Sequence, residues 1–228
     1  MGHHKKKAVV LLSGGLDSAT VLHWAKARGY APRALLFDYG QRHGRELLAA
    51  RALCRKARAP YELVRFSLPH QGSSLLDKSA KLPQARLAAN IGKRIPSTYV
   101  PARNTIFLAF GLSYAEAIGA DAVMIGANAL DYSGYPDCRP DYIAAMAKVF
   151  KLGTRAGREG RHIKITAPLL RMTKSQIIKL GNRLGVPYEL TWSCYSGGAK
   201  PCGKCDSCLL RAKGFSEAGL RDPALALR

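Results

Sequence analysis

Ser13-Gly14-Gly15-Leu16-Asp17-Ser18 is the stretch on which the reading of this chain turns. Ahead of it run Ala8-Val9-Val10-Leu11-Leu12, apolar and of strand length. Behind it, Ala19 to Arg28 holds neither Pro nor Gly and predicts a helix. A tight turn therefore joins the end of a buried strand to the start of a helix. Gly14 and Gly15 permit positive φ and close backbone approach to a ligand. The helix N-terminus offers N–H donors and about half a positive charge, a seat for phosphate. Ser13 and Ser18 add hydroxyls, and Asp17 is placed to hold a Mg²⁺ that bridges phosphate oxygens. A plain Gly-rich turn, with Asp17 or Ser18 as N-cap, accounts for the glycines alone. Strand, loop and helix in this order favour an anion site. GxxxxGK[ST] and GxGxxG are both missing, so neither a Walker loop nor a dinucleotide fingerprint is available.

The chain of 228 residues is long enough for one full core, with or without an appendage. No run of about 18 apolar residues is present to span a membrane. The basic start, Met1 to Lys7, leads into an apolar run that Ser13-Gly14-Gly15 cuts short, unlike a secretory signal, and a cytoplasmic protein is expected. The net charge is +21, spread over every quarter of the chain, with clusters at Arg42, Arg45, Arg51, Arg55, Lys56, Arg58 and at Lys151, Arg155, Arg158, Arg161, Lys164. Such a balance suits polyanions, nucleotides or RNA, but charge alone names no partner.

Pro32 to Phe37 predicts a second strand, ending in Asp38-Tyr39-Gly40-Gln41-Arg42-His43; Glu46 to Arg58 predicts a helix and Tyr61 to Phe66 a third strand. This rhythm is that of a doubly wound, mostly parallel α/β sheet, whose ligands sit beyond the carboxyl ends of the strands. Ser67 to Tyr99 lacks periodicity and reads as a lid with short helices around Leu75 and Arg86. Arg103 and Asn104 open an apolar helix, Thr105 to Ile118, and are well placed for an anion. A strand at Ala122 to Ile125 ends in a polar segment, Gly126 to Asp141, that suits a substrate loop. Asp141 to Leu152 predicts a helix, Gly153 to Gly160 a basic flexible loop and Ile163 to Ile165 a short strand. Thr173 with Gln176 forms a capping box, and Lys174 sits where the helix dipole favours an acid, as a phosphate contact or as a solvated lysine.

Of the six cysteines, Cys194, Cys202, Cys205 and Cys208 crowd the tail, while Cys54 and Cys138 stand alone. Consecutive CxxC spacings and a returning loop suit four thiolates around a structural zinc, with an iron–sulfur cluster or redox thiols as alternatives. The chain then divides into an α/β domain, 1–190, and a four-cysteine segment, 191–228, packed on it.

SGGLDS resembles the PP-loop of the ATP pyrophosphatases, of Rossmann-like (HUP) type. Together with FDYGQRH, YVPARN, ALDYSGYPDCRPD, TAPLLRMTK and the cysteine tail, it closely resembles the 7-cyano-7-deazaguanine synthase family, from about Val9 to Phe215. The resemblance implies a carbon–nitrogen ligase that turns 7-carboxy-7-deazaguanine and ammonia into the nitrile with two ATP. It implies ATP bound by Leu12, Ser13, Gly14, Gly15, Leu16, Asp17, Ser18, Ala19, Thr20, Val21 and Leu22, and zinc on the four tail cysteines. A homodimer that needs no nucleic acid is implied as well. Substrate contacts are expected at Arg103, Asn104, Asp131, Tyr132, Asp137 and Arg139, and catalytic roles at Asp17, Arg103 and Lys174. A PP-loop enzyme transferring sulfur to tRNA is the alternative; it would need a persulfide-bearing cysteine near the ATP loop.

Overall fold

The computed structural model describes residues 5–69, 72–84, 95–130 and 134–226. Five parallel strands, β1 (Lys7–Leu11), β2 (Ala31–Asp38), β3 (Tyr61–Arg65), β4 (Ala122–Met124) and β5 (Lys164–Thr166), lie in the order β3-β2-β1-β4-β5. The chain winds from β1 out to β3, then crosses back to place β4 on the other side of β1. Helices α1 (Leu16–Ala27), α2 (Arg45–Ala57), α6 (Lys174–Arg183) and α7 (Asp206–Ala218) cover one face; α3 (Arg103–Ala117) and α4 (Pro140–Gly153) cover the other. Alternation along the strands sorts the residues: Ala8, Val10 and Leu12 enter the first core, Val9 and Leu11 the second. Both faces are buried, which is why the strands read as unbroken apolar runs.

The two short helices are α5 (Arg155–Arg158) and α8 (Pro223–Ala226). The first corrects the expectation of a flexible basic loop. Thr154 Oγ1 accepts the Gly157 N–H at 2.9 Å and caps the turn, and Ala156 and Gly157 are buried. The 67–99 segment also differs. Leu75 lies in a series of turns with no helix among the described residues, and Arg86 lies outside them. Arg42 explains the turns. Its guanidinium donates to the carbonyls of Ser74, Asp77, Lys78 and Ala80 at 2.8–3.1 Å, taking acceptors that a helix would use itself. No helix of the described residues is long and apolar enough to cross a membrane.

α1 begins at Leu16, inside the loop motif, with Gly15 as its N-cap. Gly14 has φ +90°, and a Cβ there would stand 2.1 Å from the Glu46 carbonyl oxygen and 2.8 Å from the Ala50 nitrogen. The loop therefore rests directly on α2. Gly14→Ala should lower stability by about 1–3 kcal/mol through overpacking, with the left-handed backbone adding to that loss. Urea denaturation measures it, and an unchanged midpoint would contradict the close approach.

Candidate active site

A cleft of about 220 Å³ opens beside the carboxyl ends of β1, β2 and β4, at the point where the strand order reverses. Ser13, Gly15, Asp17, Ser18 and Lys174 line one part of it. Tyr39, Gln41, Arg42, His43 and Glu46 line another, with Arg103, Asn104, Phe107, Tyr135 and Cys138 beside them; Trp192, Tyr195 and Arg211 come from the C-terminal part.

The loop is held by its own hydroxyls. Ser18 Oγ accepts the Ser13 N–H at 3.2 Å and donates to the Gly15 carbonyl at 3.1 Å, while Ser13 Oγ accepts the Gly15 N–H at 3.3 Å. A hydroxyl both donates and accepts, so these serines can turn toward an arriving anion. Gly126, at the end of β4, lets α1 start close by: a Cβ there would be 3.0 Å from the Ser18 nitrogen.

Lys174 is no solvated lysine. Its Nζ donates to both Asp17 oxygens at 2.8 Å, with side-chain exposures of 8% and 20% for the pair. The expected capping box is present around it: Thr173 accepts from the Gln176 N–H at 3.3 Å and Gln176 returns the bond at 2.8 Å. The lysine stem has room because α7 carries Gly214, where a Cβ would fall 2.3 Å from Lys174 Cγ.

The other expected residues separate. Arg103 reaches the cleft and donates to the Tyr39 hydroxyl at 3.2 Å. Burial works against its charge, but Tyr39, Tyr135 and Glu46 around it more than compensate and hold it above the ordinary arginine range. Asn104 lines the cleft, with its amide donating to the Asp137 carbonyl at 3.1 Å and to Cys138 Sγ at 3.3 Å. Asp137 is buried behind it, accepting the Asn104 N–H at 3.0 Å in the first turn of α3, and does not line the cleft. Arg139 is exposed and pairs with Asp141 at 3.5 Å, away from the cleft. Asp131 and Tyr132 lie outside the described residues. Of the loop set, Ala19, Val21 and Leu22 pack in the core and Thr20 bonds Tyr188 at 3.1 Å, so these four support the loop from behind.

Sequence reasoning missed Glu46, Tyr135, Trp192 and Arg211. Burial pushes the Glu46 carboxyl up to about 7, against the pull of Arg103. Arg211 is buried and fully engaged, donating to Asp222 at 2.7 and 2.9 Å, to Thr191 Oγ1 at 2.7 Å and to the Tyr188 carbonyl at 3.1 Å.

Beside the cleft, the sulfurs of Cys194, Cys202, Cys205 and Cys208 lie within 4.8 Å of one another. A tetrahedron with metal–sulfur bonds of about 2.3 Å has edges of about 3.8 Å, so the cluster fits a metal ion. Backbone N–H groups of Cys202 and Ser196 donate to Cys194 Sγ, and those of Lys204 and Cys205 to Cys202 Sγ, at 3.2–3.4 Å. Such donors stabilise thiolate charge.

The family model described as "Queuosine biosynthesis protein QueC" matches residues 7–219. The chain belongs to this family. It is 59% identical over 219 residues to the 7-cyano-7-deazaguanine synthase of Nostoc punctiforme, covering 95% of this chain and 98% of that protein. Against the protein of the same name from Thermoplasma acidophilum it is 55% identical over 220 residues, covering 96% and 91%. The QueC match thus takes in the loop, the cleft and the cysteine cluster together.

Asp17 and Lys174 give the site its test. Removing one member of a buried pair leaves an uncompensated charge, so Asp17→Asn should cost about 3–5 kcal/mol as well as activity. Asp17→Asn with Lys174→Met should recover most of that stability and none of the turnover. Thermal melts beside an ATP-consumption assay separate the two; a double variant no more stable than the single one would show that the pair is not the cause.

Proposed function

We propose that the chain converts 7-carboxy-7-deazaguanine and ammonia into 7-cyano-7-deazaguanine at the expense of ATP. The observation that carries this reading is one cleft shared by the 13–18 loop and an aromatic wall with Arg103, in a chain whose residues 7–219 match the QueC family model. The reading takes a homodimer from the family resemblance, and adds a cytoplasmic location, no requirement for nucleic acid, and a metal-binding segment, 191–228, set on the ATP-binding part, 1–190. The packing of α7 on α6 and of Phe215 in the main core supports that arrangement.

A carboxylate resists nucleophiles because of its charge and its poor leaving group. Attack of its oxygen on the α-phosphorus releases pyrophosphate and gives an acyl-adenylate. Ammonia then displaces AMP to form the amide. The amide oxygen attacks the α-phosphorus of a second ATP, pyrophosphate leaves, and loss of AMP and two protons from the resulting adenylated amide leaves the C≡N bond. Within this scheme the N–H groups of the 13–18 loop and the ammonium of Lys174 stabilise charge gathering on the departing pyrophosphate. One such preorganised donor contributes about 3 kcal/mol, roughly a hundredfold in rate. Mg²⁺, when bound, neutralises phosphate charge, and Asp17 is the carboxylate lining the loop's part of the cleft that would hold it. Arg103 orients the substrate through its half-buried guanidinium.

The metal is zinc in this reading, held by Cys194, Cys202, Cys205 and Cys208 in a structural role. Four sulfur donors without an open position leave no place for substrate. The sulfur-transfer alternative loses its nucleophile. Burial pushes the Cys138 thiol up to about 12, with Asp137 adding to the shift, and burial pushes Cys54 up to about 12 as well. A persulfide carrier needs a thiol shifted the other way.

Two measurements test the reading. Purified protein given the amide of the substrate and ATP should make the nitrile with one ATP per product instead of two, as read by mass spectrometry and AMP release. Failure with the amide alongside success with the acid would remove the free amide from the scheme. Elemental analysis should find one zinc per chain, and Cys205→Ser should lower it and melt the tail, since metal binding there supplies folding energy on the order of 10 kcal/mol. Iron in its place would overturn the metal assignment.

A further inference from the structure

Glu46 stands in the first turn of α2 with its carboxylate on the cleft. Its neighbours are occupied. Gln41 accepts the Tyr39 N–H at 2.9 Å and donates to the Phe37 carbonyl at 3.2 Å, and Arg42 is spent on the carbonyls of the 74–80 turns. Glu46 differs: among the described residues no hydrogen bond or ion pair engages its carboxylate. A half-buried carboxylate without donors is costly, because burial strips its water and nothing replaces it. Arg103 offsets part of that cost and burial still wins, as the raised carboxyl pKa records. The first turn of α2 also favours an acid, yet the helix dipole asks only for charge and not for an oxygen pair facing a cavity.

The ligand class follows from the surroundings. Tyr39, Phe107, Tyr135, Trp192 and Tyr195 line the same cleft, a setting for a flat heteroaromatic ring. Two carboxylate oxygens match two N–H donors held side by side in the ring plane. An arginine next to that carboxylate matches a carbonyl next to those donors. We propose that Glu46 is the specificity residue of the cleft, taking the lactam N–H and the exocyclic amine of a 2-amino-pyrimidinone ring while Arg103 donates to the adjoining carbonyl. This rests on the function proposed above, whose substrate carries that edge: carbonyl, ring N–H and amine in sequence. In that substrate the 7-carboxyl group projects on the same side as the carbonyl, so Arg103 serves both. The ring is thereby held at the edge remote from the reacting carbon.

The test compares 7-carboxy-7-deazaguanine with 7-carboxy-7-deazahypoxanthine, which lacks only the exocyclic amine. Binding is measured by calorimetry, with wild type and Glu46→Gln, and zinc content and ATP affinity serve as controls. A charge-assisted hydrogen bond amounts to roughly a thirtyfold difference in affinity. Wild type should bind the hypoxanthine analogue about thirtyfold more weakly. Glu46→Gln should lose about that much for the true substrate and discriminate less than about threefold, with ATP affinity and zinc unchanged. Wild type binding both compounds equally would overturn the proposal without any variant, as would a Glu46→Gln protein that still discriminates. Wild type that neither binds nor converts the carboxylic acid would instead overturn the function proposed above, so the two failures are distinguishable.

Discussion

The structure depends on one ion pair, Lys174 with Asp17. A lysine at a buried helix start cannot hold its charge without a partner. Asp17 supplies that partner from the loop itself, with both oxygens at 2.8 Å from the ammonium. The consequence is mechanical as well as electrostatic. The pair joins the loop after β1 to α6, elements more than 150 residues apart in sequence (|i−j| = 157). It also fixes the ammonium at the cleft before any ligand arrives; in the proposed reaction little reorganisation would then be needed as phosphate charge develops.

Glycines make that closeness possible. Gly14 lets the loop rest on α2, Gly126 lets β4 end against α1, and Gly214 lets α7 lie across the lysine stem. α7 is the helix that begins at the cysteine cluster, with Cys205 as its N-cap. A metal that fixes Cys205 and Cys208 thus also fixes the start of the helix that confines Lys174. Arg211, one turn further along, fastens the same helix to Tyr188, Thr191 and Asp222. The cysteine segment therefore borders the cleft, which Trp192, Tyr195, Ser207 and Arg211 help to line.

The sequence made the frame legible because its signals are local. The apolar run before Ser13, the capping box at Thr173 and Gln176, and the CxxC pairs each declare themselves within a few residues, and the structure contains all of them. What stayed hidden depends on contacts across the chain. Arg42 gives no local sign that it will take four carbonyls from the 74–80 turns and so prevent a helix at Leu75. Asp137 looks like a substrate ligand in a polar loop, yet it faces the Asn104 N–H from behind. Lys174 was ambiguous between phosphate and solvent because its partner lies at the far end of the sequence. Glu46 could be read as an ordinary first-turn acid, since nothing local says that its oxygens reach the cleft. The FDYGQRH segment follows the carboxyl end of β2, where ligands of such sheets sit, and the acid three residues past its end belongs to the same wall.

The net charge of +21 invites a polyanion partner, but the cationic side chains at the cleft are few and mostly committed. Arg42 serves backbone carbonyls, Arg211 serves Asp222 and Thr191, and Lys174 serves Asp17. Arg103, with one hydrogen bond to Tyr39 among the described residues, keeps donors for a ligand, and Glu46 stands near it as the opposite charge. The excess positive charge is accordingly a property of the exposed surface. There it raises the local concentration of anions, an effect that weakens with salt. Inside the cleft, where burial works against the charges of Glu46 and Arg103, a missing donor or acceptor is felt in full. In the proposed reaction, surface charge would govern how fast ATP and the acid arrive, while the Arg103–Glu46 neighbourhood would govern which acid stays.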